Sequence, residues 1–519
     1  MGYDLILSGG LVIDGTGKKP YTANVCIHNG KIARITTEDV EAEEKLDVSG
    51  LAVAPGFIDT HSHSDANFLL DAPTESKLAQ GVTTEIIGNC GMSVLPASEE
   101  RFEEMDKYVQ LNYGIHARYS VSDYAADVEA KGLSINCGIL VGHSMLRMAV
   151  MGFVNRDPDE NEMEQLKSLL DRELRRGAKG MSLGLIYPPS AFSSQEELVE
   201  LSKVIAKHNG FLAVHMRNEG AKVFEAVEEM IEIARRSGAH VHISHLKLMG
   251  KPQWGRSVEL LQKIRDAKAE GVHITCDQYP FHASSTLVTA MVPHWAHAGG
   301  PEELMRRLTE REGTVVQEIQ KEMENRGGPH AVLVVNTRGA HPAWEGKYID
   351  EIARELGVDP VDAVIRVVLE TKTVGECIYF SMDLGDVLNI MKEPYICVGS
   401  DGNALSFDKN FTKSNVHPRH FAAFSQFFQT VRENSLMPLE AAVHKTTGLA
   451  AEIMNITDRG ILAEGMAADI AVFDPASYES RSSFMESRVP PVGVHHVLVN
   501  GKFALRDGTI TQTRNGKVI

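Results

Sequence analysis

The sequence predicts an α/β protein: a (β/α)8 TIM-type barrel with a discontinuous β-sandwich domain built from both chain ends. Three observations predict it. Short apolar runs repeatedly end in residues able to bind a metal ion, at His61 and His63, Cys90, His215, His245 and Asp401. Cys90 follows His61, and His245 follows His215, after roughly 30 residues, the length of one βα unit. Hairpin-like segments with Asn-Gly turns occur near both chain ends. A (β/α)8 barrel assembles its active site at the C-terminal ends of its strands, where the metal-binding residue types recur.

Residues 1–54 read as short strands at 5–7, 10–13, 25–28 and 31–35. Asn29-Gly30 joins the last two and is the strongest two-residue hairpin signal. The far end repeats the style at 469–473, 497–499 and 502–505, with Asn500-Gly501 between the last two. Either end alone has too few strands to bury a face. One domain built from 1–54 plus 456–519 follows.

The barrel is expected over 55–455. Pro55 and Gly56 punctuate its first strand, Gly56-Phe57-Ile58-Asp59-Thr60-His61-Ser62-His63. The second closes as Ile86-Ile87-Gly88-Asn89-Cys90, the third is 136–141 and the fourth 181–187. The fifth closes at His215 and the sixth at His245. Between them Val223, Val227, Met230, Ile231 and Ala234 recur at helical spacing. Arg235 and Arg236 suit that helix's last turn, and Gly238 ends it. The seventh strand is 274–279. The eighth ends at Asp401, far beyond one βα spacing, so a lid-like segment of about 283–345 is inserted at the mouth.

Composition bounds the function. The chain has 519 residues, 43% hydrophobic and 24% charged, an ordinary globular balance with enough length for more than one domain. The formal net charge of −18 argues against nucleic-acid or anionic-membrane partners. The first residues lack the basic and apolar regions of a signal peptide, and no stretch approaches a membrane span. Six scattered cysteines do not form a disulfide scaffold, so a reducing cytoplasm is expected.

Imidazole and thiolate suit zinc, with carboxylate as a further ligand. Cys90, His215 and His245 could supply three ligands and leave an open position. His61, His63 and Asp401 converge from the other side of the ring. A second metal there is plausible, with Cys90 reaching both. Other histidines are expected to be structural. Strand parity sets His240 and His242 opposite to His245, so both should face helices or solvent. His143 ends the third strand and could line the mouth, but it has no partner pattern, and His417 and His420 fall in a loop. Cys276 and Cys397 read as packing residues.

The first-strand motif resembles that of the amidohydrolase superfamily. Gly81-Val82-Thr83-Thr84, Gly88-Asn89-Cys90-Gly91, Ile243-Ser244-His245-Leu246-Lys247, Asp277-Gln278-Tyr279-Pro280 and Ser400-Asp401-Gly402 narrow the resemblance to N-acyl-D-amino-acid deacylases, the D-aminoacylases. It covers nearly the whole chain. The resemblance implies one tight zinc at Cys90, His215 and His245 and a weaker site at His61 and His63. Cys90 takes the place of the carboxylated lysine used by many binuclear amidohydrolases. Lys179, the tempting lysine, precedes its strand and sits at the wrong end of the barrel. Zinc would activate water, and Asp401 would take its proton and return it to the leaving amine.

The substrate implied is a small N-acyl amino acid. Lys247 and Tyr279 would bind its α-carboxylate with Arg419, and Ser285 could add a hydroxyl contact. The continuation after Arg419, His420-Phe421-Ala422-Ala423-Phe424, departs from the family's usual glycine-containing pattern. Between Tyr279 and Met305 there is neither Arg nor Lys, so a neutral, mainly hydrophobic side chain is expected; a distant Arg306 or Arg338 folding back would change this. Two other readings stay open: another amidohydrolase, acting on cyclic amides or D-residue dipeptides, and a non-catalytic barrel. Chirality rests wholly on the resemblance.

Overall fold

The computed structural model describes residues 2–70, 74–411 and 414–519. Eight parallel strands form the barrel: Phe57–Asp59, Val82–Ile87, Asn136–Gly142, Gly180–Gly184, Phe211–His215, His240–Ile243, Ile274–Gln278 and Ile396–Val398. Nearly every strand residue is buried, as expected where helices cover a parallel sheet. The first and last strands meet at the mouth. There Asp401 N–H donates to His61 O at 2.8 Å and His63 N–H donates to Gly402 O at 3.1 Å.

Beneath this seam lies a buried charge network. Lys77 pairs with Asp59 and Glu85, and Asp59 accepts from the Ser400 backbone at 2.8 Å and hydroxyl at 2.6 Å. The network ties the first strand to the loop carrying Asp401. The helix between the fifth and sixth strands spans Val223–Ser237 and ends at Gly238, whose φ of +70° is left-handed. A glycine adopts that conformation without a Cβ clash.

Both chain ends contribute to one nine-stranded sheet, separate from the barrel. Ile470–Phe473 pairs antiparallel with Ala52–Pro55, which pairs with the N-terminal strand Tyr3–Val12. The two expected strands at 5–7 and 10–13 are one strand, interrupted by an irregularity between Leu7 and Gly10. Leu5, Val25, Val53, Ile470 and Leu498 fill its core. Phe57 joins this sheet to the barrel, packing on Phe424, Phe428 and Phe473 with ring centroids 5.1–5.9 Å apart.

The segment inserted before the eighth strand carries its own sheet. Its strands are Ser284–Leu287, Val332–Asn336, Lys347–Tyr348 and Glu376–Tyr379. This layer therefore extends past 345, and it encloses a separate hydrophobic cluster around Met291, Ile319, Val364 and Cys377. Among the described residues, no helix is long and apolar enough to cross a membrane.

Candidate metal centre

The first strand ends at Asp59, so His61 and His63 lie on the loop beyond it. Both still reach Asp401 Oδ1, at 3.5 and 3.1 Å. Cys90 follows the second strand. Its loop lies directly on the fourth strand: a Cβ on Gly184 would sit 1.9 Å from Cys90 O. That close approach admits only glycine at position 184. Cys90 Sγ lies 3.3 Å from His61 Nε2, 3.6 Å from His245 Nε2 and 3.7 Å from His215 Nδ1.

Four of these side chains, His61, Cys90, His245 and Asp401, offer ligand atoms within 4.8 Å of one another. Cys90, His245 and Asp401 have positive φ values of 55, 38 and 51°. Non-glycine residues rarely occupy this region, and strain of this kind concentrates at functional sites.

The electrostatics suit a cation. Burial opposes the Cys90 thiolate, but the His61 charge and contacts from His215, His245 and His61 hold the thiol well below its usual range. Burial likewise opposes the Asp401 carboxylate, yet Arg419, then His245 and His63, hold it well below its ordinary value. Arg419 Nη1 lies 2.8 Å from Asp401 Oδ2, an ion contact outside hydrogen-bond angles. A thiolate, imidazoles and a carboxylate converging in a buried site are a donor set that fits zinc.

A cavity of about 160 Å³ opens onto this centre. Lys247, Tyr279, Ser285 and Arg419 all line it. Lys247 Nζ and the Arg419 guanidinium lie 5.6 and 5.4 Å from the Tyr279 ring centroid. The Tyr279 hydroxyl is buried without a protein partner. The Ser285 hydroxyl donates instead to Cys377 O at 3.0 Å, and Ser285 O accepts from Arg419.

Several histidines depart from expectation. His242 does not face helices or solvent, whereas His240 is half-buried at the start of its strand. His242 is fully buried and contacts Asp277 Oδ2 at 2.8 Å, the oxygen that also meets His61 Nδ1. The parity argument failed because the sixth strand ends at Ile243 and His245 turns through a left-handed φ. His143 is buried between Ser190 and Glu197, away from the cavity lining. His420 is in the first turn of the helix Arg419–Asn434, not in a loop, and lines the cavity. Arg306 pairs with Glu303, Glu310 and Glu312, whereas Arg338 does reach the cavity, beside Glu376 at 2.9 Å.

The sequence reading missed Glu219 and Arg326. Glu219 follows His215 by four residues, a spacing that could have signalled contact. Arg326 is 6% exposed, lines the cavity and pairs with Glu322 at 2.9 Å. Its position depends on the inserted layer, and no local pattern marks it.

Comparison with known proteins gives this geometry a family. The model of the amidohydrolase family matches residues 44–504. The chain belongs to the amidohydrolase family. This amidohydrolase is 34% identical to D-aminoacylase of Alcaligenes xylosoxydans xylosoxydans, over 100% of this chain and 97% of that protein. Its structure matches N-acyl-D-glutamate deacylase of Bordetella bronchiseptica, complexed with zinc and a phosphonate mimic of the tetrahedral intermediate. The TM-score is 0.84 at 32% identity, covering 100% and 99% of the two chains. A D-aminoacylase structure described by a binuclear metal centre, with one-metal activation and second-metal attenuation, matches equally, at TM-score 0.84 and 32% identity over 99% of each chain.

Proposed function

We propose that this amidohydrolase uses zinc to hydrolyse the amide bond of N-acyl-D-amino acids, releasing a carboxylate and a free D-amino acid. The convergence of Cys90 with His61, His215 and His245, beside Asp401 on a cavity wall, carries this reading. In it, Cys90, His215 and His245 would hold the tighter ion, and His61, His63 and Asp401, with Cys90 beside them, would hold a weaker one. Bound there, zinc supplies Lewis acidity and lowers the pKa of water.

Asp401, kept ionised beside Arg419, takes the proton of the attacking water and returns it to the leaving nitrogen. Tyr279 offers an unspent hydroxyl to the substrate α-carboxylate, and Lys247 and Arg419 flank it with positive charge. Ser285 contributes through the backbone that braces Arg419, because its hydroxyl is occupied. The barrel, about 55–455, carries the chemistry, and residues 1–54 with 456–519 brace it. All six cysteines are free and buried, which supports a cytoplasmic setting.

The cavity favours neutral side chains. Each arginine that reaches it beyond Arg419 brings its own glutamate, Arg326 with Glu322 and Arg338 with Glu376. A second substrate carboxylate would have to displace one of them. Ile186, Leu287 and Met92 line the same space and reward apolar burial. The D configuration rests on the likeness to D-aminoacylase. The test is kcat/KM for N-acetyl-D-leucine, N-acetyl-L-leucine and N-acetyl-D-glutamate with zinc-loaded protein. D-leucine should lead. A lead for the L compound overturns the assigned chirality, and a lead for D-glutamate overturns the neutral pocket.

A further inference from the structure

Glu219 stands behind the metal centre rather than in it. Its carboxylate is nearly fully buried, at 8% exposure. Oε1 lies 3.0 Å from His245 Nδ1, and Oε2 lies 3.6 Å from His215 Nε2. The other nitrogen of each ring faces Cys90 Sγ. One carboxylate therefore lies behind both histidines, one oxygen toward each, in charge contacts that fall outside hydrogen-bond geometry.

His215, Glu219 and His245 could together be taken for a second cation site. Lys247 argues against it. Its ammonium already contacts Glu219 Oε1 and lies 2.7 Å from His245 Nδ1. The cation on this side is a lysine.

Imidazole chemistry then gives Glu219 a task. A neutral histidine that offers one ring nitrogen to a metal carries its proton on the other, and that N–H needs an acceptor. Lys247 has no acceptor, only donors. Glu219 Oε1, 3.0 Å away but outside hydrogen-bond angles, is the carboxylate in place to accept from His245 Nδ1–H once Nε2 binds the ion; until then Lys247 Nζ is the hydrogen-bond partner of Nδ1. His215 Nε2 is buried with no hydrogen-bond partner, and Glu219 Oε2 stands a few tenths of an ångström beyond hydrogen-bond range.

We propose that Glu219 is the positioning residue of the metal centre. It fixes the tautomers of His215 and His245 so that His215 Nδ1 and His245 Nε2 face the ion together with Cys90. Its charge also anchors Lys247 at the cavity wall. The proposal rests on the zinc reading above.

Glu219→Gln tests it. The amide keeps the shape but has one acceptor oxygen, so it can serve only one of the two N–H groups. Zinc affinity, measured by competition with a chromogenic chelator, should fall about 10–100-fold. Excess zinc should restore kcat, which it would not do for a folding defect. If Glu219→Gln does not fold by circular dichroism, Glu219→Asp carries the test: one methylene shorter, it cannot reach both rings, and the same zinc-reversible loss is expected. Wild-type zinc affinity in the folded variant overturns the proposal. A wild-type protein that binds no zinc overturns the underlying metal reading instead.

Discussion

Histidines gather at both ends of the barrel, and the two gatherings have opposite electrostatics. At the mouth, His61, His63, His215 and His245 surround a thiol and two carboxylates. There the Cys90 thiol and Asp277 raise His61 well above its usual range, although burial opposes them. At the foot, His240 stacks on His273 with ring centroids 3.9 Å apart and a 7° interplanar angle. Its Nε2 contacts the Thr275 hydroxyl at 2.7 Å. Burial, then His273 and His242, push His240 down to about 2. A hydrogen-bonded chain from His61 through Asp277, His242 and Thr275 to His240 joins the two ends.

The difference lies in the companions. Imidazoles beside a thiolate and carboxylates form a site that attracts cations and opens to a cavity. His240 and His273, stacked on each other beside the Thr275 hydroxyl, are held toward the neutral form by burial and pack. Histidine count alone separates nothing, and the anionic neighbours decide which cluster can hold a metal ion.

The strongest way to break this contrast is to remove the mouth's thiolate. Cys90→Ala is expected to lose both zinc, measured by elemental analysis after dialysis, and hydrolytic activity. No nearby lysine replaces the ligand, because Lys179 lies before the fourth strand at the barrel's other end. Full zinc occupancy in that variant would refute the assignment of the centre.

Asp401→Asn sharpens the contrast between holding metal and moving a proton. The proposed principal ligands Cys90, His215 and His245 remain, so tight zinc should be retained. An amide cannot shuttle the proton, and kcat should fall about 10²–10⁴-fold. Near-normal kcat would show that Asp401 is not the base.

The smallest effect belongs to the foot. Folded, His240 stays neutral where the unfolded chain would protonate it, near pH 6.5. Below that pH the unfolded state binds more protons, so stability falls as pH drops through 6.5 toward the folded value. His240→Phe should cost about 1 kcal/mol at neutral pH through the lost contact with Thr275. It should also flatten the acid loss of stability between about pH 6.5 and 5, read by urea unfolding. Zinc content and kcat/KM should match wild type. A loss of zinc there would mean that the hydrogen-bonded chain couples the foot to the mouth.

The barrel was legible because its signal is local and periodic. Apolar runs at one βα spacing each end in a residue whose chemistry differs from the run, and these endings locate the mouth. The paired Asn-Gly turns at 29–30 and 500–501 foretold a sheet shared by both chain ends for the same reason. Local pattern also carried the helix ending at Gly238.

What the sequence could not set is orientation beyond the strand ends. Its parity rule placed His242 outside, yet His242 is buried, because His245 turns through a left-handed backbone that its packed surroundings maintain. Glu219 and Arg326 entered the site from a loop and from the turn that ends the helix Val315–Asn325 of the inserted layer, brought there by packing rather than by strand phase. Residue type and spacing determined which chemistry this chain could gather. Tertiary contacts, such as Gly184 under Cys90 and Asp59 holding Ser400, decided which side chains face one another, because directions after a strand ends are set by neighbours distant in sequence.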